Sequence, residues 1–178
     1  MVAGPVSEAV RAYVALGSNL GDRMHNLTAA LAALDAEEGV RVVAVSGAYE
    51  SKPWGGVEQP DYANAVAELR VSVGAATLLA ACKRIERRLG RAPSVRYGPR
   101  AIDIDVLIVG DESVSTPELT VPHPRLLERD FVVTPLLEIA PGITLPDGTP
   151  VCAESATSGR VTGVLGRIPL PGDAPDRT

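Results

Sequence analysis

Tyr62-Ala63-Asn64-Ala65-Val66-Ala67-Glu68-Leu69-Arg70-Val71 alternates along its whole length. Side chains of a strand point to opposite faces in turn. Ala63, Ala65, Ala67, Leu69 and Val71 therefore share one face, and Tyr62, Asn64, Glu68 and Arg70 share the other. A helix is predicted directly after this strand, with Leu78, Cys82, Ile85 and Leu89 as its buried stripe and Gly90 as its stop. Before the strand, Asp22 caps a helix carrying Leu27, Leu31 and Leu34 at helical spacing, and Gly39 closes it. Further strands are read at Tyr13 to Leu16, at Val40 to Val45 with Ala48-Tyr49 (bent near Gly47), and at Ile102 to Val109. Lys52 to Pro60 and Arg91 to Pro99, rich in proline and glycine, read as loops.

The order strand-helix-strand-strand-helix-strand matches a ferredoxin-like βαββαβ α+β sandwich, with the remaining segments as C-terminal additions. A length of 178 residues fits one domain. The domain is taken as residues 1–158. From Gly159 periodicity is weak and the chain ends Pro-Gly-Asp-Ala-Pro-Asp-Arg-Thr, so residues 159–178 are expected to form a partly disordered tail.

A hydrophobic fraction of 46% with 22% charged residues is that of a soluble globular protein. No apolar run is long enough to span a bilayer, and Glu8 precedes Arg11 in an N-terminus unlike a signal peptide. Cys82 and Cys152 stand far apart in no metal or redox spacing, as expected of free thiols in a reducing cytoplasm. The net charge of −5 disfavours general binding to nucleic acid. Even so, Arg84, Arg87, Arg88, Arg91, Arg96 and Arg100 crowd one segment and leave room for a local anion site.

Asp103 and Asp105 lie in the strand Ile102-Asp103-Ile104-Asp105-Val106-Leu107-Ile108 and project from the same face, roughly 6.5–7 Å apart along it. Such a pair repels itself, and it suits one or two Mg²⁺ held against a polyphosphate, because Mg²⁺ takes one or two carboxylates plus substrate oxygens. An exposed sheet face with solvated aspartates would look the same. The neighbouring Arg96-Tyr97-Gly98-Pro99-Arg100 tips the balance by adding positive charge and a kinked backbone. Arg84, Arg87 and Arg88 have a structural reading near a helix C-terminus, and Glu86 can pair with Lys83. Arg91 and Arg100 bracket a loop and can neutralise a phosphate chain from its two ends.

His123, between Pro122 and Pro124, is a loop residue or a donor to a nucleotide phosphate. Gly17-Ser18-Asn19-Leu20-Gly21 lacks the ending of a P-loop and reads as a tight turn. Tyr62 beside Asn64 suits a flat heterocycle and equally a packing pair.

Five segments together resemble the 6-hydroxymethyl-7,8-dihydropterin pyrophosphokinase family. They are Gly17-Ser18-Asn19-Leu20-Gly21, Gln59-Pro60-Asp61-Tyr62-Ala63-Asn64, Gly98-Pro99-Arg100-Ala101-Ile102-Asp103-Ile104-Asp105, Pro122-His123-Pro124 and Arg129-Asp130-Phe131. The resemblance runs from about Tyr13 to Pro146. It implies a cytoplasmic, monomeric enzyme of folate synthesis that transfers pyrophosphate from ATP to the pterin and leaves AMP. It further implies two Mg²⁺ on Asp103 and Asp105, and catalytic roles for Arg91 and Arg100. ATP would meet Glu86, Arg96, Tyr97, Thr120, His123 and Arg129. The pterin would meet Ser51, Lys52, Trp54, Tyr62, Asn64 and Phe131. Tyr97 stands where the family often has Trp, and Lys83 where a Gln can occur.

Two other readings compete. Another Mg²⁺-dependent nucleotidyl- or phosphoryl-transferase could use the same aspartate pair, although there the Gly-Ser turn lies close to it in sequence. A ferredoxin-like RNA-binding module should present aromatic central strands and a basic surface, and this chain has neither.

Overall fold

The computed structural model describes residues 8–53, 56, 58–90 and 98–173. Its elements in chain order are β1 (Val10–Ser18), α1 (Arg23–Asp35), β2 (Val40–Val45), β3 (Ala48–Ser51), β4 (Tyr62–Val71), α2 (Ala75–Arg88) and β5 (Asp103–Val109). A short hairpin of β6 (Val114–Ser115) and β7 (Thr120–Val121) follows, then α3 (Asp130–Ile139) and β8 (Val161–Gly166). The main sheet runs β5-β1-β4-β3-β8, with β2 pairing the far end of β4. Every pair is antiparallel. Since β2 and β3 together edge β4, this is the ferredoxin-like order, and the bend expected near Gly47 separates the two strands.

The two faces of the sheet are built differently. Ala63, Ala65, Ala67, Leu69 and Val71 of β4 bury against α1 and α2 in one core with Leu27, Leu31, Leu34, Leu78 and Ile85. Burying each of these Leu and Ile side chains is worth roughly 1.5–3 kcal/mol. Asp22 caps α1 by accepting from the His25 N–H at 3.0 Å. Gly39 and Gly90 lie just beyond the two helices with φ of 74° and 91°, a backbone that suits glycine. Lys83 pairs with Glu86 at 3.1 Å and Arg84 with Glu37 at 2.6 Å.

The opposite face is covered only in part. There α3 packs Val132, Val133 and Leu136 onto Tyr13, Val66 and Leu107. The Val-Val-Thr-Pro run in α3 has low helix propensity and Pro135 removes one internal hydrogen bond. Tertiary burial holds this helix instead, since Val132, Val133, Pro135 and Leu136 are all buried.

The segment expected as a frayed tail proves different over its first part. Val161–Gly166 is β8, paired with β3 at the sheet edge, and Ile168 is buried in the helix-side core. Its glycines and broken alternation hid the strand from sequence reading. Residues 174–178 lie outside the described residues. Among the described residues no helix is long and apolar enough to cross a membrane.

Candidate active site

Where α3 leaves the sheet uncovered, the strand ends form a cavity of about 370 Å³. Gly17 of β1 stands opposite Asn64 of β4 on one side and Asp103 of β5 on the other. The predicted amide and the predicted carboxylate thus sit in one row across the sheet with only a glycine between them. A Cβ on Gly17 would lie 3.4 Å from Asn64 Oδ1 and 3.5 Å from Tyr62 Cδ1, so a bare backbone here keeps the row open. Ser51, Lys52, Tyr62, Asn64, Arg100, Asp103, Asp105, His123, Arg129 and Phe131 all line the cavity.

The carboxylates share this face because Ile102, Ile104 and Val106 turn into the helix-side core. Arg100 Nη1 lies 3.0 Å from Asp103 Oδ1, and Arg129 Nη1 lies 3.7 Å from Asp105 Oδ2. Burial and, next, the Asp103 charge push the Asp105 carboxyl up to about 6, against the pull of Arg129. Two carboxylates held apart on a rigid strand, each beside an arginine, form an oxygen donor set that fits Mg²⁺. No cluster of three or more His, Cys, Asp or Glu that could hold a metal ion by itself exists among the described residues.

His123 is held by its own N–H, which donates to the Leu107 carbonyl at 2.9 Å. Its Nδ1 accepts from the Arg125 N–H at 3.1 Å. Burial, then Arg129 and Arg125, lower its pKa to about 4. The ring is thus neutral near pH 7, and an accepting Nδ1 assigns the proton to Nε2, which is then a donor.

On the other side of the cavity, Asn64 donates from Nδ2 to Ser51 Oγ at 2.6 Å and to the Tyr49 carbonyl at 3.3 Å. These bonds fix the amide orientation. Lys52 pairs with Asp61 at 2.8 Å. The Arg129 guanidinium lies 5.7 Å from the centre of the Phe131 ring, so the cation and the aromatic wall position each other.

Glu86 is buried and absent from the cavity lining; its Oε1 accepts the Ile104 N–H at 2.7 Å at the sheet edge. Thr120 is exposed in the small hairpin and does not line the cavity. Trp54, Arg91, Arg96 and Tyr97 lie outside the described residues.

Sequence reading missed Asn19, which it left in a tight turn. This buried residue exchanges two bonds with Arg100: Asn19 N–H to the Arg100 carbonyl at 3.1 Å, and Arg100 N–H to Asn19 Oδ1 at 2.8 Å. Its Nδ2 donates to Gln59 Oε1 and the Pro60 carbonyl, both at 2.9 Å. One side chain therefore binds three loops around the cavity. Asn19→Ala is expected to cost about 3 kcal/mol, or roughly 6–12 °C of melting temperature, because buried partners lose their hydrogen bonds. A melting curve identical to wild type would contradict this bracket role.

A family model described as 7,8-dihydro-6-hydroxymethylpterin-pyrophosphokinase matches residues 13–141. The chain is 41% identical over 138 residues to 2-amino-4-hydroxy-6-hydroxymethyldihydropteridine pyrophosphokinase of Haemophilus influenzae, covering 78% of this chain and 86% of that protein. It is 44% identical over 128 residues to the Bacillus subtilis protein of the same name, covering 72% and 77%. Among solved structures, wild-type Plasmodium falciparum HPPK-DHPS superposes with a TM-score of 0.62 at 14% identity, covering 83% of this chain and 44% of that one. That likeness speaks for the fold alone, and the chain spans less than half the length of the solved chains it matches.

Proposed function

Since the chain belongs to the 7,8-dihydro-6-hydroxymethylpterin-pyrophosphokinase family, we propose that the cavity beside Gly17 is where its reaction takes place. The chain is an ATP-dependent pyrophosphokinase: it transfers pyrophosphate from ATP to 6-hydroxymethyl-7,8-dihydropterin, in folate biosynthesis, and releases AMP. The observation that carries this assignment is the single row Asn64, Gly17, Asp103, which sets a heterocycle-reading amide beside a metal-binding carboxylate.

In this reading Asn64, with Ser51 fixing its amide, reads the edge of the pterin, and Tyr62 and Phe131 enclose the ring. Lys52 lines the same half of the cavity, and Trp54 is assigned to the pterin as well. Asp103 and Asp105 would hold two Mg²⁺, which would supply positive charge against the phosphate chain of ATP. His123, donating from Nε2, and Arg129 contact the nucleotide phosphates, with Arg96, Tyr97 and Thr120 completing the ATP side. Glu86 serves ATP indirectly by holding the Ile104 backbone beside the aspartates. Arg91 and Arg100 neutralise the transferred group. The pterin hydroxyl attacks the β-phosphorus in line, and no strong base is required, since such transfers depend mainly on positioning and charge. We place the enzyme in the cytoplasm as a monomer, with residues 1–158 carrying the site.

Mixing the protein with Mg²⁺, ATP and the pterin should yield AMP in step with the pterin diphosphate, and only when the pterin is present. ADP would mean an ordinary kinase, and free pyrophosphate a nucleotidyltransferase; either would overturn the assignment.

The Asp105 pKa sets a pH dependence. Its folded value of about 6 lies above the ordinary 3.8. The metal-free fold is therefore favoured as pH falls from about 6 towards 4, and bears the cost of the second charge above 6. Mg²⁺ relieves that cost only where Asp105 is ionised. The rise in melting temperature caused by Mg²⁺ should be largest near pH 7.5 and shrink below about 6. Equal stabilisation at pH 5 and pH 7.5 would contradict Asp105 as a ligand.

A further inference from the structure

The family match ends at residue 141, yet residues 158–161 are bound to the walls of the cavity. Asp130, the first residue of α3, is the anchor. Its Oδ1 accepts the Phe131 N–H at 2.9 Å and also the Ser158 hydroxyl. Its Oδ2 accepts the N–H groups of Arg160 at 2.7 Å and Val161 at 2.8 Å, while the Asp130 N–H donates to Ser158 Oγ at 3.0 Å. Arg160 carries the connection onward. Its carbonyl accepts the Lys52 N–H at 3.0 Å, and its Nη1 donates to the Pro53 carbonyl at 2.7 Å. Val161 stands opposite Ser51 in the β3-β8 pair. A continuous chain of bonds therefore runs from Phe131 on one wall of the cavity, through Asp130 and Arg160, to Ser51 and Lys52 on the other.

We propose that Asp130 is a positioning residue for the pterin, setting the distance between the Phe131 wall and the Ser51-Lys52 wall through residues 158–161. The role rests on the pterin assignment made above. It concerns that half of the cavity: the Asp130 bonds reach the backbone of residues 131, 160 and 161 and the Ser158 hydroxyl, and none reaches Asp103, Asp105 or His123. The carboxylate is suited to the task because all its partners are donors. An asparagine would have to turn an NH₂ group towards backbone N–H groups in either orientation, and one wall would be released.

The test uses the full chain and calorimetric titration with 6-hydroxymethyl-7,8-dihydropterin in the presence of a non-hydrolysable ATP analogue and Mg²⁺. Asp130→Asn is expected to weaken pterin binding, and to raise the pterin KM, about 10–30-fold, with affinity for the ATP analogue changed less than about threefold. Its kcat at saturating pterin should stay within about threefold of wild type. Ser158→Ala, which removes one bond and keeps the carboxylate, should weaken pterin binding about three- to fivefold, and it decides the matter should Asp130→Asn fail to fold. Pterin affinity unchanged in a folded variant would overturn the proposal. So would an equal loss of pterin and nucleotide affinity, the mark of general destabilisation. Wild-type protein that binds no pterin would show up in the control titration, and would remove the pterin assignment itself and this role with it.

Discussion

Replacing Asp105 by alanine is expected to lower kcat by roughly 10³-fold or more, with circular dichroism unchanged. A metal ion on a transferring phosphoryl group is worth several kcal/mol, and each 1.36 kcal/mol is tenfold in rate. Asp105 is well placed to carry such an effect. It projects from the middle of a strand hydrogen-bonded to β1, so its position relative to Asp103 is set by the backbone. It is also held in repulsion with Asp103 and pushed up to about 6, a cost that a bound cation cancels. Removing the side chain relieves that repulsion, so the folded state should be no less stable without Mg²⁺. The variant should therefore separate function from stability: turnover lost, melting temperature without Mg²⁺ kept or raised, and the rise on adding Mg²⁺ much reduced. Near-normal turnover would refute the metal assignment outright.

The same site shows what is legible in a sequence and what is not. The faces of β4 could be read from its alternation, and the structure buries Ala63, Ala65, Ala67, Leu69 and Val71 in one core and turns Tyr62 and Asn64 to the other side. Asp103 and Asp105 share a face for the same local reason. That these two faces are one face depends on β1, whose Gly17 pairs with both Asn64 and Asp103. Pairing between strands more than forty residues apart carries no local signal, and the family resemblance supplied that link instead. Asn19 was missed because a turn asparagine is common and its partners, Gln59, Pro60 and Arg100, come from two distant loops. Strand β8 was missed because glycines interrupt it and, among the described residues, it pairs with the short β3 alone. Pro135 concealed α3, whose stability comes from packing and not from propensity.

Arg100→Ala should lower kcat about 10²–10³-fold while changing ATP affinity less than about tenfold, since charge-assisted donors aimed at a transferring group act mainly in the transition state. The geometry explains the split. In the absence of substrate the guanidinium is already engaged with Asp103 at 3.0 Å, and its backbone is clamped by Asn19 through two bonds. Cations competing for Asp103 would loosen that pair and leave the guanidinium for the phosphate chain, where negative charge shifts during transfer. The Asn19 clamp fixes the Arg100 backbone at the rim of the cavity, so only side-chain freedom is lost when the guanidinium engages. Arg100→Lys should recover part of the rate, because it restores charge without the planar fork of donors. Single-turnover kinetics distinguish the cases. A chemical step as fast as wild type with weakened ATP binding would make Arg100 a nucleotide ligand. A slow step with ATP binding intact would make it the residue that stabilises the transferred pyrophosphoryl group.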